Sequence, residues 1–389
     1  MRILQVYHIF PALFGGASTV VYQITKDLSG KGHKVDVLTT NVRLRHGENR
    51  NLDGVSVYRF PVVSEKLANY NIVIPVVNFL LWVKDRIETY DCIHIHGHKN
   101  PYSIIVHHYA VKYDVPYVLQ AHGSLPRIGS WRRLKWFYDV LFGYRLLRDA
   151  AKVIALSRVE AEQYKRMGVS EEKIAIIPNG IDLSEYADLP SRGEFKKKFN
   201  IPEDKKIILY LGRIHRTKGI DYLVKAYAYL KRKMNCNDTI LVIAGPDDGY
   251  LNEVKSLIHD LGISNSVLFT GPLYGKDKIS AYVDSEVYVL PSRYETFPMT
   301  VLEAYACGKP VITSKIGGLK DLVMNGETGL LFEPGNVEQL ARNILYLLND
   351  NGEAKEMGLK GKEFVKENLT IESAVTKLEK VYEEIVEVR

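Results

Sequence analysis

Short β-branched runs, each ending in a glycine or a polar loop and each followed by a helix-length segment, recur along almost the whole chain. "RILQVYHI", "KVDVLTT", "CIHIHG", "YVLQAHG", "VIALS" and "IAIIPNG" form a first series, with helical stretches such as "STVVYQITKDLSGKG" between them. Parallel neighbours need a crossover, and the crossover helices cover the sheet on both faces, so this alternation predicts a parallel sheet. The pattern pauses at "DLSEYADLPSRGEFKKKFNIPEDKK", a charged stretch holding Pro190 and Pro202 that reads as a connector. A second series follows it: "IILYLGR", "TILVIAG", "SVLFTG", "EVYVLPS", "PVITSK" and "TGLLFEP". The expected fold class is α/β, with two doubly wound, Rossmann-like parallel-sheet domains.

A length of 389 residues exceeds what one compact core holds, in keeping with two domains. With 46% hydrophobic and 25% charged residues, the chain is neither fibrous nor disordered. Cys92, Cys236 and Cys307 form no CxxC pair, which fits a reducing cytoplasm and argues against a cysteine-ligated metal. The opening "MRILQVYHIF" lacks a small-residue cleavage site and reads as a buried strand rather than a signal peptide. The longest apolar run, "IVIPVVNFLLWV" at 72–83, is broken by Pro75 and Asn78 and is too short to span a bilayer, leaving a core helix or an interfacial segment. A formal charge of +6 admits an anionic partner without demanding one. Nucleic acid is not that partner: no recognition helix or aromatic-interleaved motif is present, and the notable cations sit at helix starts.

In open parallel sheets, ligands sit beyond the carboxyl ends of the strands. Four such loops carry unusual residues. In "FPALFGGASTVV", Gly15 and Gly16 admit positive φ and close backbone approach just before a helix start that can receive negative charge. A tight strand-to-helix turn accounts for the same glycines, so both readings stand. In "YLGRIHRTKGIDYLVKA", Arg213, Arg216 and Lys218 precede a helix beginning near Gly219. Helix starts attract Asp and Glu rather than cations, so Arg213 and Lys218 point to a phosphate or diphosphate, while Arg216 reads as an ordinary solvated charge.

The third loop, "ETFPMTVLE", holds Glu295 and Glu303 eight positions apart (303 − 295 = 8). Thr300 and Glu303 match the [ST]-x-x-E capping box, a structural role, but Glu295 lies outside it. An ionised carboxylate is an acceptor-only group with two oxygens, suited to the vicinal hydroxyls of a sugar or ribose. The segment between the acids, Phe297, Pro298, Met299 and Thr300, is a helix start that would present amides to a diphosphate. In the fourth loop, "QAHGSLP", His122 follows a strand and can donate a hydrogen bond or exchange protons near neutral pH, although a lone histidine is as readily structural. "HIHGH" (His94, His96, His98) alternates along a strand, but no acid or cysteine stands at ligand-like spacing, so no metal site is expected.

Together these loops resemble the retaining glycosyltransferases of family 4, which have the two-domain GT-B fold. The residues that carry the likeness are Gly15-Gly16, "DCIHIHG", "AHG", "IPNGID", "GRIHRTKG", "IAGPDD" and "VYVLPSRYETFPMTVLEAYACGKPVITSKIGG", with "TGLLFEPGN" after it. The resemblance implies two domains facing a central cleft: 1–183, with the C-terminal helix 371–389 packing back on it, a connector at 184–206, and a nucleotide-sugar-binding domain at 207–370. That return would explain the amphipathic tail, where Val375, Leu378, Val381, Tyr382 and Ile385 fall at helical spacing. It further implies that Arg213 and Lys218 neutralise the donor diphosphate, Glu303 holds the ribose, Glu295 holds the transferred sugar, His122 lies by the reacting carbon, and Gly16 admits the phosphates. One departure stands out: the family's glycine after "E-x-F" is Pro298 here, which removes a backbone donor and fixes φ.

The expected activity is thus a metal-independent, retaining transfer of a sugar from a nucleotide sugar, UDP by default, to a glycan or lipid-linked acceptor in cell-surface polysaccharide or glycoconjugate synthesis. No D-x-D pair is present to hold a metal, and no cofactor is expected. A nucleotide-sugar 2-epimerase of the same architecture is the alternative. "RIGSWRRLKWFYDVLFGYRLLRD" carries Arg127, Arg132, Arg133, Lys135, Arg145 and Arg148 with Trp131, Trp136 and Phe137. It reads either as a partly buried helix or as a peripheral contact with anionic lipid, placing the protein in the cytoplasm or at the inner face of the membrane.

Overall fold

Two sheets account for the two series of apolar runs. The computed structural model describes residues 1–10, 15–42, 51–52, 54–69, 73–128 and 131–388. It divides into two compact units, Met1–Gly180 with Ile371–Arg389, and Ile181–Thr370.

In the first unit the strands are β1 (Arg2–Val6), β2 (Lys34–Thr40), β3 (Asn51–Leu52), β4 (Val55–Phe60), β5 (Cys92–His96), β6 (Tyr117–Gln120), β7 (Lys152–Ala155) and β8 (Ile174–Ile176). They lie in the order β3-β4-β2-β1-β5-β6-β7-β8, and only the β3–β4 pairing is antiparallel. Strands β5 and β6 are buried along their whole length, which is why they read as continuous apolar runs with buried polar exceptions. Strand β4, "VSVYRF", is absent from the runs read in the sequence. Only its Val55 and Val57 are buried, so its apolar residues alternate instead of forming a block. Of the apolar run 72–83, Ile72 lies outside the described residues, and the helix Val77–Arg86 buries Phe79 and Val83. Among the described residues no helix is long and apolar enough to cross a membrane.

The second unit holds β9 (Lys206–Leu211), β10 (Thr239–Ala244), β11 (Val267–Gly271), β12 (Ser285–Leu290), β13 (Val311–Ser314) and β14 (Gly329–Phe332). Their order is β11-β10-β9-β12-β13-β14, with every pairing parallel. The stretch read as a connector, 184–206, is built into this unit. Phe195 of the short helix Glu194–Lys198 is fully buried, and the Asp284 carboxylate accepts the backbone N–H groups of Gly193 and Lys196 at 2.6 and 2.9 Å. Pro190 and Pro202 and the surrounding charges disguised a packed segment as a linker.

The last helix, Ile371–Glu387, lies in the first unit and buries Val375, Leu378, Val381, Tyr382 and Ile385. Lys31 and His33 both reach its Glu379, at 2.5 and 2.8 Å. Surface ion pairs contribute about 0.2–1 kcal/mol, whereas each fully buried aliphatic side chain contributes about 1.5–3 kcal/mol. The apolar stripe therefore holds this helix, and the charges set its register.

The helix Met299–Ala306, which the site below depends on, is fixed from behind by the helix Asn351–Asn368. A Cβ on Gly358 would run into the carbonyl of Gly308, and one on Gly361 into the ring of Tyr305. Alanine gains about 1 kcal/mol over glycine in a helix interior, but overpacking costs about 1–3 kcal/mol, and a backbone oxygen has no rotamer with which to yield. Gly358→Ala should therefore lower the melting temperature by a few degrees, as followed by circular dichroism. A raised melting temperature would show that the two helices are not in close contact.

Candidate active site

In the second unit the strand order reverses between β9 and β12: one half of the sheet grows towards β10 and β11, the other towards β13 and β14. Crossovers leaving β9 and β12 must go to opposite faces, so the loops at their carboxyl ends part and leave a crevice. The loop after β9 makes a 3-10 turn, Arg216–Lys218, before the helix Ile220–Lys233. The loop after β12 leads into Met299–Ala306. Arg293 ties the two together. Its backbone N–H donates to the Thr217 carbonyl at 2.7 Å, and its guanidinium grips both Asp221 oxygens at 2.7 Å. Gly219, at φ 64°, lies so close under the Pro291 carbonyl that a Cβ would collide with it, and a Cβ on Gly317 would strike the Glu295 carbonyl.

This stitching brings Lys218 and Glu295 together. The Lys218 ammonium donates to Glu295 Oε1, and Ser292 Oγ donates to the same oxygen at 3.1 Å. Their side chains are 17% and 10% exposed, sheltered yet reachable. Arg213 is not part of that pair; it turns to Asp248, with both side chains largely exposed. Tyr210 links the two groups electrostatically: burial, then the Glu295 carboxylate, hold its pKa well above the ordinary value, with Arg213 opposing. Arg216 pairs with Glu253 at 2.6 Å on the open surface.

Glu303 does not cap its helix. Pro298 occupies the N-cap, no side chain caps the helix, and Thr300 lies inside the first turn. Glu303 instead accepts from Lys278 Nζ at 2.8 Å and from the Tyr282 hydroxyl at 3.0 Å, while the Thr300 hydroxyl meets that of Tyr288 at 2.7 Å. An ammonium and a phenol are stronger partners than the backbone N–H of a capping box. Burial alone would lower the pKa of Lys278, but the Glu303 carboxylate outweighs it and holds the ammonium above its usual range. Phe297 and Met299 are buried beside the uncapped helix start, whose first amides have no intrahelical acceptor. Lys278, Tyr282 and Ser292 carry no sequence signal of their own, because their partners come from another helix or from a side-chain rotamer.

The first unit has its own reversal, between β1 and β5. Gly15, at φ 135°, precedes the helix Gly16–Gly30, and both glycines are exposed; residues 11–14 of this loop lie outside the described residues. His122, beyond β6, adopts φ 51° and is followed by Gly123 at φ 79°. This left-handed turn is clamped from the helix Arg158–Arg166. The Glu160 carboxylate accepts the N–H of Gly123 at 2.7 Å and of Leu156 at 2.8 Å, and the Tyr164 hydroxyl accepts the N–H of Ala121 at 2.9 Å. Burial pushes the Glu160 carboxyl up to about 7 despite those two hydrogen bonds. His94 and His96 stand on one face of β5 with ring centroids 3.9 Å apart, and His96 Nδ1 lies 2.9 Å from His122 Nε2. His98 departs from them, towards the Gly143 carbonyl at 3.1 Å. Among the described residues no group of three His, Cys, Asp or Glu is placed to hold a metal ion.

The basic aromatic segment is more open than a partly buried helix. Arg132–Tyr138 buries nothing, and Trp131, Phe137 and Leu141 are 63%, 55% and 58% exposed. It is anchored through the π-turn Asp139–Gly143, where buried Asp139 pairs with Lys99 at 2.8 Å and Arg127 at 2.7 Å. Only the following helix, Tyr144–Arg148, sinks Leu146 and Leu147 into the core. Arg127, Arg132, Arg133, Trp136 and Phe137 line an open notch of about 450 Å³ on this surface.

Two parallel-sheet Rossmann-like units, with loops gathered at the reversals of strand order, make up the GT-B fold. The chain belongs to the group 1 glycosyltransferases of family 4 type: residues 191–364 match the family described as Glycosyl transferases group 1, and residues 14–185 match Glycosyltransferase Family 4. An uncharacterized glycosyltransferase of Methanocaldococcus jannaschii is 28% identical over 88% of this chain and 87% of its own length. Among solved structures, a sucrose-phosphate synthase from Thermosynechococcus elongatus is similar with a TM-score of 0.81 at 23% identity, covering 100% of both chains. HepE of Anabaena, solved with UDP and glucose, has a TM-score of 0.80 at 20% identity, covering 99% of this chain and 100% of that one.

Three buried histidines and the half-buried His122 make stability depend on pH. Burial lowers His122 and His98 to about 4 and holds His94 and His96 well below the usual value. Each stays neutral when folded but gains a proton in the unfolded chain below about 6.5, so its contribution is present above that pH and is lost as pH falls towards 4. Glu160, raised to about 7, acts in the opposite sense, losing stability as pH rises from about 4.5 to 7, but it is one group against four. Urea unfolding at pH 7.5, 6.5 and 5.5 should show stability falling on acidification, by roughly 1.4 kcal/mol per pH unit for each net proton. A flat profile would mean these rings are not buried neutral.

Proposed function

We propose that the chain transfers a hexosyl unit from a UDP-sugar to a glycan or lipid-linked acceptor, retaining the anomeric configuration and using no metal ion, in the building of cell-surface polysaccharide or glycoconjugate. The observation that carries this reading is the Lys218–Glu295 pair, set where the strand order reverses in a group 1 glycosyltransferase. Breaking a glycosyl–phosphate bond builds negative charge on the departing diphosphate and positive charge at the anomeric carbon. In this reading Lys218, Arg213 and the amides at the start of Met299–Ala306, next to Phe297 and Pro298, receive the first. Glu295, released from its ammonium, accepts from hydroxyls of the transferred sugar, and Glu303 accepts from the ribose. His122 serves the donor sugar near the reacting carbon, and Gly15 and Gly16 admit the phosphates. The choice of UDP is supported by HepE of Anabaena, whose structure holds UDP and glucose.

Lys218→Ala should slow transfer by about a hundredfold, since one preorganised charge of this kind is worth on the order of 3 kcal/mol in the transition state, with the melting temperature little changed. Turnover of UDP-sugars with an acceptor in EDTA, followed by NMR of the product anomer, tests the whole reading. An inverted product removes retention, dependence on added metal removes metal independence, and donor consumed without acceptor points to a 2-epimerase.

The acceptor end of this proposal is a lipid surface at the cytoplasmic face. Exposed Trp131, Phe137 and Leu141 lie among Arg132, Arg133 and Lys135, matching apolar insertion with attraction to anionic headgroups. The protein should co-sediment with vesicles containing an anionic phospholipid at low salt and lose this on Trp131→Ser with Phe137→Ser. Absence of binding to such vesicles would remove the membrane contact.

A further inference from the structure

A line of hydrogen bonds runs from the last helix to His122. Tyr382 of Ile371–Glu387 places its hydroxyl 2.6 Å from His94 Nδ1 and 3.4 Å from Gln5 Nε2. Gln5 Oε1 lies 2.7 Å from His96 Nε2, and His96 Nδ1 lies 2.9 Å from His122 Nε2. Gln5 is on β1, His96 on β5 and His122 just beyond β6, so the line crosses the point where the first unit's strand order reverses.

The distances give this line a direction. A 2.6 Å contact is typical of an O–H donor, and a 3.4 Å contact is too long for one but fits a weak amide N–H. The Tyr382 hydroxyl therefore donates to His94 Nδ1 and accepts from Gln5 Nε2. Gln5 Oε1 is then the acceptor facing His96, whose proton sits on Nε2. Neutral His96 presents a bare Nδ1, and His122 must donate to it from Nε2. No carboxylate hydrogen-bonds to any member of the line among the described residues; its ring neighbours include Tyr7, 6.1 Å from His96 and 6.3 Å from His122.

We propose that Tyr382, Gln5 and His96 are positioning residues that hold His122 as the Nε2–H tautomer, so that its Nδ1 offers a lone pair that accepts from a sugar hydroxyl and rejects a phosphate oxygen. The tautomer follows from the geometry alone; its effect on transfer rests on the reading of His122 given above. The Nδ1 atom has no hydrogen-bond partner among the described residues, while Nε2 is committed to His96. Removing the Tyr382 hydroxyl frees the Gln5 amide to turn over. Its N–H would then face His96 Nε2, and each ring would exchange its donor for its acceptor, ending with a proton on His122 Nδ1.

The test is NMR of protein carrying ¹⁵N-labelled histidine at pH 7.5, with His122 assigned through His122→Gln. The wild type should show His122 protonated on Nε2 alone, and Tyr382→Phe should move population to Nδ1–H, with circular dichroism confirming that the variant is folded. If Tyr382→Phe fails to fold, Gln5→Leu replaces it. His122 found as Nδ1–H or imidazolium in the wild type, or a tautomer unmoved in the folded variant, overturns the proposal. With a UDP-sugar turned over by the wild type, the same variant should lose kcat about tenfold with donor KM nearly unchanged, the size of loss expected when one hydrogen bond to the transferred sugar is removed. A shifted tautomer with unchanged kcat overturns the positioning role. Absence of any turnover in the wild type would count against the transferase reading and leave the tautomer result standing.

Discussion

The reversal of strand order between β9 and β12 is the constraint on which the candidate site depends. Crossovers that must leave to opposite faces cannot close over the ends of these two strands, so backbone amides, Lys218 and Glu295 collect there. The ion pair itself is a poor stabiliser. Half-sheltered charges gain little Coulomb energy in water and lose hydration, so an isolated pair of this kind contributes little to folding. What it offers is exchange: an anion can take up the ammonium while neighbouring hydroxyls donate to the freed carboxylate, so that neither group is left without a partner. The cost of holding the loops in register falls elsewhere, on the Arg293–Asp221 fork and on glycines that let backbone meet backbone.

The corresponding place in the first unit is built on different physics. There the reversal between β1 and β5 is filled by Gln5 and by His94, His96 and, beyond β6, His122, whose surroundings keep the three rings neutral. A buried polar group left unpaired costs about 1–3 kcal/mol, so such a network is tolerable only when nearly every donor finds an acceptor. The last helix supplies one of the missing partners: its apolar stripe provides the binding energy, and Tyr382 carries the hydroxyl that completes the line. Glu160 and Tyr164 meanwhile hold the backbone of the His122 turn, so side chain and main chain are fixed by separate elements.

Much of this was legible in the sequence because burial on both faces writes itself as continuous apolar runs. The two sheets, and with them the loops at their carboxyl ends that carry Lys218, Glu295 and His122, were readable on that basis. Three things were not. Strand β4 alternates because half its surface is not buried, and it has no run to find. Thr300 and Glu303 have capping-box spacing, yet Lys278 and Tyr282, from a helix 20 or so residues earlier in the chain, offer a stronger match, and local spacing cannot reveal a competitor that only folding brings close. Asp139, within the basic aromatic segment, carries no signal of its own in the sequence. It proves to be the buried anchor for Lys99 and Arg127, at a turn where a Cβ on Gly143 would crowd it.

Pro298, where the family resemblance leads one to expect glycine, can be placed on the same terms. It sits at the N-cap with φ −81°, close to the angle its ring prefers, and the helix starts one residue later. The N–H it lacks would have had no part in the helical ladder, so the helix loses nothing by the change. Glycine's extra freedom is also gone, which makes the loop after Glu295 stiffer in the unfolded and folded chain alike. The substitution therefore spares the fold and falls wholly on whatever the loop faces: one backbone donor fewer, presented from a more rigid frame. On the proposed reading of this loop, discrimination among sugars is where such a difference registers, since a site that lacks a donor cannot distinguish an acceptor oxygen placed there from its absence.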